Sequence, residues 1–282
     1  MIETVAHVIF ALAALVSIAA VVLICVFLAV NGIPALSEIG LLQFITGRVW
    51  RPSNDEFGIL PMIVGSLYVT AGAIAVGVPP GILTAIFLSR FASSRIVRLL
   101  LPAIELLAGI PSVVYGFFGL RIIVPLIRDI FPTSRGGFSI LAASLILGIM
   151  ILPTIVTVSK AALDAVPEHY YEGSLALGAS HERSVFRIVT PAASSGIMAA
   201  IVLGIGRAIG ETMAMVMIIG NQPNIPKSII SGARTMTGNV VLEMGYATGM
   251  HRGALIATAV VLFVFILIIN LLFNILKRGL KS

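Results

Sequence analysis

The chain has 282 residues, of which 59% are hydrophobic and only 11% are charged. About a quarter of the residues of a soluble domain are charged, so this composition excludes an ordinary soluble domain and predicts a membrane protein. The net charge of +6 does not indicate nucleic-acid binding, because the basic residues form no stripe interleaved with aromatic side chains. The single cysteine, Cys25, excludes an intrachain disulfide.

Six segments are long and apolar enough to cross a bilayer, whose core requires about 20 apolar residues. A backbone in lipid must satisfy its own hydrogen bonds, and these segments do so as helices. The first is too long for a signal peptide and lacks a basic region before it. The sequence therefore predicts an all-α, polytopic membrane protein with six transmembrane helices, at 5–30, 61–89, 97–120, 136–159, 191–220 and 253–276.

Charge indicates the orientation only weakly. With both termini inside, the cytoplasmic segments carry nine Lys and Arg residues and the external segments carry eight. The basic clusters at 90–98 and 277–281 lie directly against helix ends, and they favour cytoplasmic termini. The external segments 31–60 and 221–252 are then long enough to form a cap on the outer face.

Spans two and three contain helix breakers. The Pro-Pro-Gly sequence at 79–81 should bend or interrupt span two, and Pro111 should kink span three, because proline donates no backbone hydrogen bond. Four residues of span three recur at helical spacing and predict one small, polar face: Glu105, Gly109, Ser112 and Gly116.

Glu105 is the one charge of span three. It lies closer to the cytoplasmic end of its span than the arginine of span five does, so we do not predict a direct pair between them. Arg95 or Arg98 is an alternative partner.

The segment between spans four and five predicts two short helices that meet at a sharp bend. Pro167 suits the first turn of the first helix, and Gly178 can take the left-handed conformation that ends it. Ser180 can then cap the second helix. Thr190 and Pro191 are expected to be the N-cap and the first residue of span five.

Span five contains two charges, Arg207 and Glu211, and ionisable residues in a bilayer usually face a protein interior or water. Arg207 lies sixteen residues after Pro191, roughly 24 Å along a helix, and Glu211 one turn later can pair with it. Two interpretations stay open: Arg207 contacts a passing oxyanion, or the pair is a structural salt bridge. Small residues that allow close helix packing repeat beside the pair: Gly196, Ala200, Gly204 and Ala208.

Three stretches carry a resemblance to a known family. Glu172, Gly178, Ile188 and Pro191 occupy the positions of the EAA loop of importer permeases of ABC transporters, although Gly-Ser follows Glu172 where the pattern has Ala-Ala, and Thr190 replaces Leu. The stretches ELLAGIPSVVYGFFGL (105–120) and GRAIGETMAMVMIIGN (206–221) resemble the PstC permeases of phosphate-specific transport systems.

The resemblance implies a type I ABC importer permease (MetI-like) fold, with residues 167–187 docking in a groove of an ATPase. It divides the chain into an N-terminal helix and external segment (1–56), a permease core (57–276) with the cytoplasmic coupling loop 160–190, and a basic cytoplasmic tail (277–282). Substrate-pathway residues are expected at Arg207, Glu211, Glu105 and Ser112. The residues expected to couple to the ATPase are Tyr171, Glu172, Leu175, Gly178, Ala179 and Ser180.

The resemblance also implies the partners and the location. A PstA-type permease would form a heterodimer with this chain in the bacterial cytoplasmic membrane, between a PstB-type ATPase dimer inside and a PstS-type phosphate-binding protein outside. The chain contains no Gly-Lys dipeptide and hence no P-loop. We therefore expect no cofactor and no enzymatic activity in this chain, with ATP and Mg bound by the partner ATPase.

Several alternatives remain. One is a permease for another oxyanion, such as molybdate, sulfate or phosphonate, or the sister phosphate permease PstA. Another is a gradient-driven transporter or channel. An intramembrane enzyme is disfavoured, because all four histidines lie near span ends or in loops and no metal-ligand spacing occurs.

Overall fold

The structure is a computed structural model that describes residues 2–132 and 136–279. Arg135 and residues 280–282 of the predicted basic tail lie outside the described residues. The first part of the chain contains a long helix, a short helix, a β-hairpin with two residues in each strand and a second long helix. These elements are α1 (Ile2–Ile39), α2 (Leu41–Thr46), β1 (Trp50–Arg51), β2 (Glu56–Phe57) and α3 (Leu60–Ile86).

The middle part begins after a π-helical turn, Phe87–Phe91, that extends α3. A second π-helical turn, Gly119–Ile123, joins two short helices. The helices of this part are α4 (Ser94–Gly109), α5 (Ser112–Phe118), α6 (Val124–Ile130) and α7 (Ile140–Asp164).

The last part begins with the loop after α7. A third π-helical turn, Val185–Val189, lies between two of its short helices. The helices are α8 (Glu168–Ala176), α9 (His181–Ser184), α10 (Thr190–Ala192), α11 (Ser194–Gly210), α12 (Met213–Ile218), α13 (Met236–Glu243) and α14 (Gly249–Gly279).

Within residues 2–132 and 136–279, four helices are long and apolar enough to cross a membrane, and the number rises to six if each of two bent helix pairs is one span. The bent pairs are Ser94–Gly109 with Ser112–Ile130, at 95°, and His181–Ala192 with Ser194–Gly210, at 68°. This architecture confirms the predicted all-α membrane fold. The β-hairpin, which pairs Trp50 with Phe57 and Arg51 with Glu56, is an addition that the sequence did not predict.

Helix α7 forms the centre of the molecule and packs most extensively against α3. The two backbones approach closely where glycines face each other: a Cβ at Gly77 would lie 2.6 Å from the carbonyl oxygen of Gly148. Glycine is required here because any side chain would separate the helices. Helix α3 continues through Pro79 and Pro80. Of the bend or interruption predicted at these prolines, the interruption does not occur; a helix that contains proline is tolerated in a membrane.

Helix α1 contrasts with α7. Its most apolar window has a mean hydropathy of 3.1, and none of that window is buried within the chain. Its C-terminal part packs against α14, where Gly32 meets Val260 and Ala35 meets Gly253. The exposed apolar surface of α1 is typical of a helix that lipid or another membrane chain covers.

Candidate functional site

Span three is broken at Ile110 and Pro111. Ile110 has an extended backbone, with φ −70° and ψ 128°, as expected of a residue that precedes proline. The last carbonyls of a helix lack partners within it, and Tyr115 supplies one here. Its hydroxyl donates a hydrogen bond to the carbonyl oxygen of Leu107 at 2.9 Å. The predicted kink at Pro111 is confirmed, and the structure makes it a 95° break.

The single polar face predicted for span three does not form, because α4 ends before Pro111. Glu105 and Gly109 belong to α4 and are exposed, whereas Ser112 is the half-buried first residue of α5. Gly116 is buried against α12, where a Cβ would lie 2.7 Å from Sδ of Met217.

Span five is also broken, at a place where no break was predicted. Helix α11 ends at Gly210, and Glu211 has an extended backbone with φ −67° and ψ 132°. The Oε1 atom of Glu211 accepts a hydrogen bond from the backbone N–H of Ala214, at 3.2 Å, and so caps the start of α12. The expected i, i+4 pair of Arg207 and Glu211 requires a continuous helix. No such ion pair within 4.0 Å occurs among the described residues.

Arg207 is half-buried on α11. Its Nη1 atom donates a long hydrogen bond, 3.5 Å, to Oγ1 of Thr154 on α7. In the described part of the chain no carboxylate lies within 4.0 Å of its guanidinium. An arginine in this position retains its positive charge without a protein anion to neutralise it.

The predicted stripe of small residues packs α11 against α7 and so brings Arg207 close to α7. Ala200, Gly204 and Ala208 are buried, and a Cβ at Gly204 would lie 3.2 Å from Ile155 of α7. The stripe thus packs α11 against α7, as expected of small residues. In the part of the chain that the structure describes, nothing lies within 4 Å of a Cβ built at Gly206, so α11 is not packed at that position.

Glu105 does not join this site. It is exposed on α4, and the ion pairs of the described residues include none between Glu105 and Arg207, Arg95 or Arg98. The sequence analysis did not identify two neutral side chains: Thr154, which bonds Arg207, and Tyr115, which bonds the carbonyl of Leu107. The signals in the sequence are weak, since Thr154 only follows Pro153 in an uncharged span and Tyr115 only lies four residues after Pro111.

The loop after α7 forms the predicted elbow. Gly178 has a φ of +83°, and the Ser180 side chain accepts a hydrogen bond from the backbone N–H of Arg183 at 3.3 Å; both predictions are confirmed. Pro167 directly precedes α8 as its N-cap. Tyr171 Oη lies 2.7 Å from Nδ1 of His181, a contact that joins α8 to α9.

The elbow is fixed at one end of the molecule. Arg90 pairs with Glu168 at 3.1 Å and donates to the carbonyl oxygen of Leu163 at 2.8 Å. The turn of the elbow projects outward, and Leu177 is 92% exposed. Tyr171 and Ala179 are half-buried, and the other four coupling candidates are exposed: Glu172, Leu175, Gly178 and Ser180.

The predicted start of span five is wrong. Thr190 has helical dihedral angles, φ −64° and ψ −45°, and its hydroxyl oxygen is buried without a hydrogen-bond partner. It is not an N-cap, because the helical backbone already runs from His181 through the π-helical turn to Ala192. The bend of 68° follows at Ala193, and the apolar helix α11 begins at Ser194.

The family of binding-protein-dependent transport system inner membrane components matches residues 77–282. The chain belongs to this family. The match includes both broken spans and the elbow. The resemblance to importer permeases that the EAA-like positions indicate is therefore confirmed.

Curated relatives cover most of this permease. A Bacillus subtilis protein named as a probable ABC transporter permease, YqgH, is 40% identical over 95% of this chain and 87% of its own. The PstC phosphate transport permease of Mesorhizobium japonicum is 34% identical over 83% of this chain and 77% of its own. A Methanocaldococcus jannaschii protein named as a probable PstC is 31% identical over 89% of this chain and 86% of its own.

A solved structure supports the fold of this permease. An inward-facing form of the MetNI methionine ABC transporter superposes with a TM-score of 0.59, at 20% identity, over 80% of this chain and 95% of the matched chain. The MetI-like permease fold is therefore confirmed, and the molecule is a multi-pass membrane protein.

Proposed function

We propose that this chain is the PstC-type permease subunit of an ATP-driven importer of inorganic phosphate. The observation that carries the proposal is Arg207, a membrane arginine that has a threonine and no carboxylate as its partner among the described residues. Planar guanidinium groups bind phosphate through parallel hydrogen bonds. The relatives named PstC support phosphate as the anion.

The guanidinium of Arg207 balances the charge of the anion while it passes the break in span five. Glu211 acts differently from the initial prediction: its carboxylate caps α12 and leaves the charge of Arg207 available. Ser112, the first residue of α5, contributes a hydroxyl at the other break. Broken helices line the passage of many transporters.

Closure of a partner ATPase supplies the energy, since this chain has no P-loop. The PstB-type ATPase binds ATP and Mg, and its groove receives the elbow with the exposed Leu177 at its tip. The rigid contacts of Arg90 with Glu168 and Leu163 transmit the movement to α3 and α7. Access to Arg207 then alternates between the two sides.

The complex lies in the bacterial cytoplasmic membrane with the elbow and both termini in the cytoplasm. Helix α1 ends, and α14 begins, at the end of the molecule opposite the elbow, which supports this orientation. A PstA-type permease completes the passage. A PstS-type receptor delivers phosphate to the outer face, where the β-hairpin lies.

The test is ATP-dependent uptake of phosphate by the full complex in proteoliposomes, with an excess of sulfate or molybdate as competitor. The proposal predicts uptake that requires ATP and is unaffected by either competitor. Inhibition by one competitor would assign the permease to another oxyanion. Flux that persists without the ATPase and is abolished by an uncoupler would indicate a gradient-driven transporter instead.

A further inference from the structure

A buried carboxylate outside the passage, that of Glu243, joins three separate parts of the outer end. Its Oε1 accepts a hydrogen bond from Nη1 of Arg234 at 2.6 Å. Its Oε2 accepts from Nε1 of Trp50 and from Nε2 of His251, each at 2.8 Å. The donors come from the β-hairpin, the segment before α13 and the start of α14. Only 9% of the Glu243 side chain is exposed.

Burial raises the pKa of Glu243, but the hydrogen bonds from Trp50, His251 and Arg234 and the charge of Arg234 outweigh it, so the pKa is lowered overall. Glu243 is therefore ionised at neutral pH. A buried charge is tolerated where partners satisfy its oxygens, and removal of one partner is strongly destabilising. The three donors hold α13 firmly at this point.

Arg234 extends the network to the end of α12. Its Nε donates to the carbonyl oxygen of Asn221 at 3.1 Å, and Nη1 also donates to Oδ1 of Asn239 at 3.0 Å. Asn221 has a φ of +51°, and its side chain donates to the carbonyl oxygen of Val216 at 2.7 Å. The C-terminal end of α12 is thus tied to Arg234.

Thr237, in the first turn of α13, reaches the other end of α12. Its hydroxyl donates to the carbonyl oxygen of Glu211 at 3.1 Å. The segment 234–243 consequently bonds to the residues that precede and follow α12; we name this segment the bracket. The bracket is also fastened to α3, where the backbone N–H of Met236 donates to Oγ of Ser66 at 3.0 Å.

We propose that Glu243 is a positioning residue for transport: it anchors the bracket that holds both ends of α12, and so fixes the break in span five beside Arg207. Because Trp50 belongs to the outer hairpin and Thr237 contacts Glu211, the same bonds connect the outer surface to the passage. The consequence for transport rests on the proposed function, whereas the placement of α12 does not.

The first test measures the placement of α12 without any substrate. In the purified full complex, with Cys25→Ser, single cysteines are introduced at Met213, which is 46% exposed, and at Leu203, which is 54% exposed and precedes the break. Glu243→Gln is expected to speed maleimide labelling at position 213 at least about threefold, through local loosening. Labelling at position 203 should not change. Glu56→Gln, an exposed glutamate of the hairpin, is the matched control.

Trp50→Phe provides a second variant, since it keeps an aromatic ring and removes one donor to Glu243. It should shift labelling at position 213 in the same direction by a smaller factor, and it decides the matter if Glu243→Gln does not assemble. Equal labelling of an assembled variant and the parent at position 213 would overturn the proposal. Faster labelling at both positions would also overturn it, because the effect would then be general unfolding.

The second test compares transport with ATP hydrolysis. If Glu243 positions the break, Glu243→Gln lowers the maximal rate of phosphate uptake while the basal ATPase rate of the assembled complex is kept. Normal uptake in a variant with altered labelling would refute the role in transport. If the parent complex carries another anion, the proposed function fails, while the labelling result still tests the bracket.

Discussion

The two broken spans reach similar shapes by different means. In span three the break is local, because Pro111 ends α4 and Tyr115, four residues later, bonds the carbonyl of Leu107. In span five no proline occurs at the break, and the extended residue Glu211 is held by Thr237, which lies 26 residues further along the chain. The break in span three is therefore encoded by its own residues, whereas the break in span five combines a local cap, the Glu211 carboxylate on the N–H of Ala214, with a contact from a distant segment.

The largest effect is expected where the two breaks meet. Gly116→Val places a Cβ 2.7 Å from Sδ of Met217 and 3.0 Å from Cα of Ala214. Overpacking of this kind costs about 1–3 kcal/mol, and here it separates α5 from α12. We expect uptake to be abolished while the complex assembles at reduced yield. Gly245→Val, in the exposed turn after α13, is the control: among the described residues nothing lies within 4 Å of a Cβ at this position, so both uptake and yield should be kept.

Tyr115→Phe tests the local break. It removes the hydroxyl that bonds the carbonyl oxygen of Leu107, which keeps only the longer bond from the backbone N–H of Ile110 at 3.3 Å, at a cost of about 0.5–1.5 kcal/mol. The thermal midpoint of the complex should fall. Restoration of the midpoint by adding Pro111→Ala, which returns a backbone N–H at the break, would support the account. An unchanged midpoint in Tyr115→Phe alone would contradict it.

Thr237→Val tests the contact between the bracket and the break in span five. It keeps the volume of the side chain and removes one neutral hydrogen bond, which contributes about 0.5–1.5 kcal/mol. The variant should accelerate labelling of a cysteine at position 213, after the break, and leave labelling at position 203, before the break, unchanged. Thr248→Val, at the start of α14, is a control because Thr248 lies outside the bracket. If both variants label alike, span five breaks without help from the bracket.

The smallest effect concerns pH. The pKa of Glu243 is lower in the folded chain than its ordinary value of 4.5. Its contribution to stability is thus fully present above pH 4.5 and is lost as the pH falls through the lowered value. The difference in thermal midpoint between the parent and Glu243→Gln should narrow as the pH falls below 4.5. A constant difference at every pH would contradict the charged state of Glu243.

The sequence predicted those features that local chemistry determines. Six apolar segments, the kink at Pro111, the left-handed Gly178 and the cap at Ser180 each depend on a few neighbouring residues. The sequence failed to place two helix boundaries. Of the bend or interruption predicted at Pro79 and Pro80, the interruption does not occur in α3, and Thr190 is no cap because the helical backbone that begins at His181 continues through it.

The sequence predicted a residue of the candidate site, Arg207, but it did not predict the contacts that Arg207 makes. Arg207 was identified because a charge in an apolar span is costly. Its pairing with Glu211 followed from helical spacing and is wrong, since the helix ends at Gly210. Thr154, 53 residues away in sequence, is the observed partner. The spacing of residues within one helix carries no information about such a contact.

The central claim is that the guanidinium of Arg207 binds phosphate and balances its charge during transport. One measurement tests this claim most directly. The initial rate of ATP-dependent phosphate uptake is compared between Arg207→Gln and Arg252→Gln, which removes an exposed arginine of α14, at equal amounts of assembled complex. The account predicts a loss of about 10- to 150-fold for Arg207→Gln, the equivalent of a charge-assisted hydrogen bond of about 1.5–3 kcal/mol, and no loss for Arg252→Gln. Normal uptake by Arg207→Gln would contradict the account and make Arg207 a structural residue.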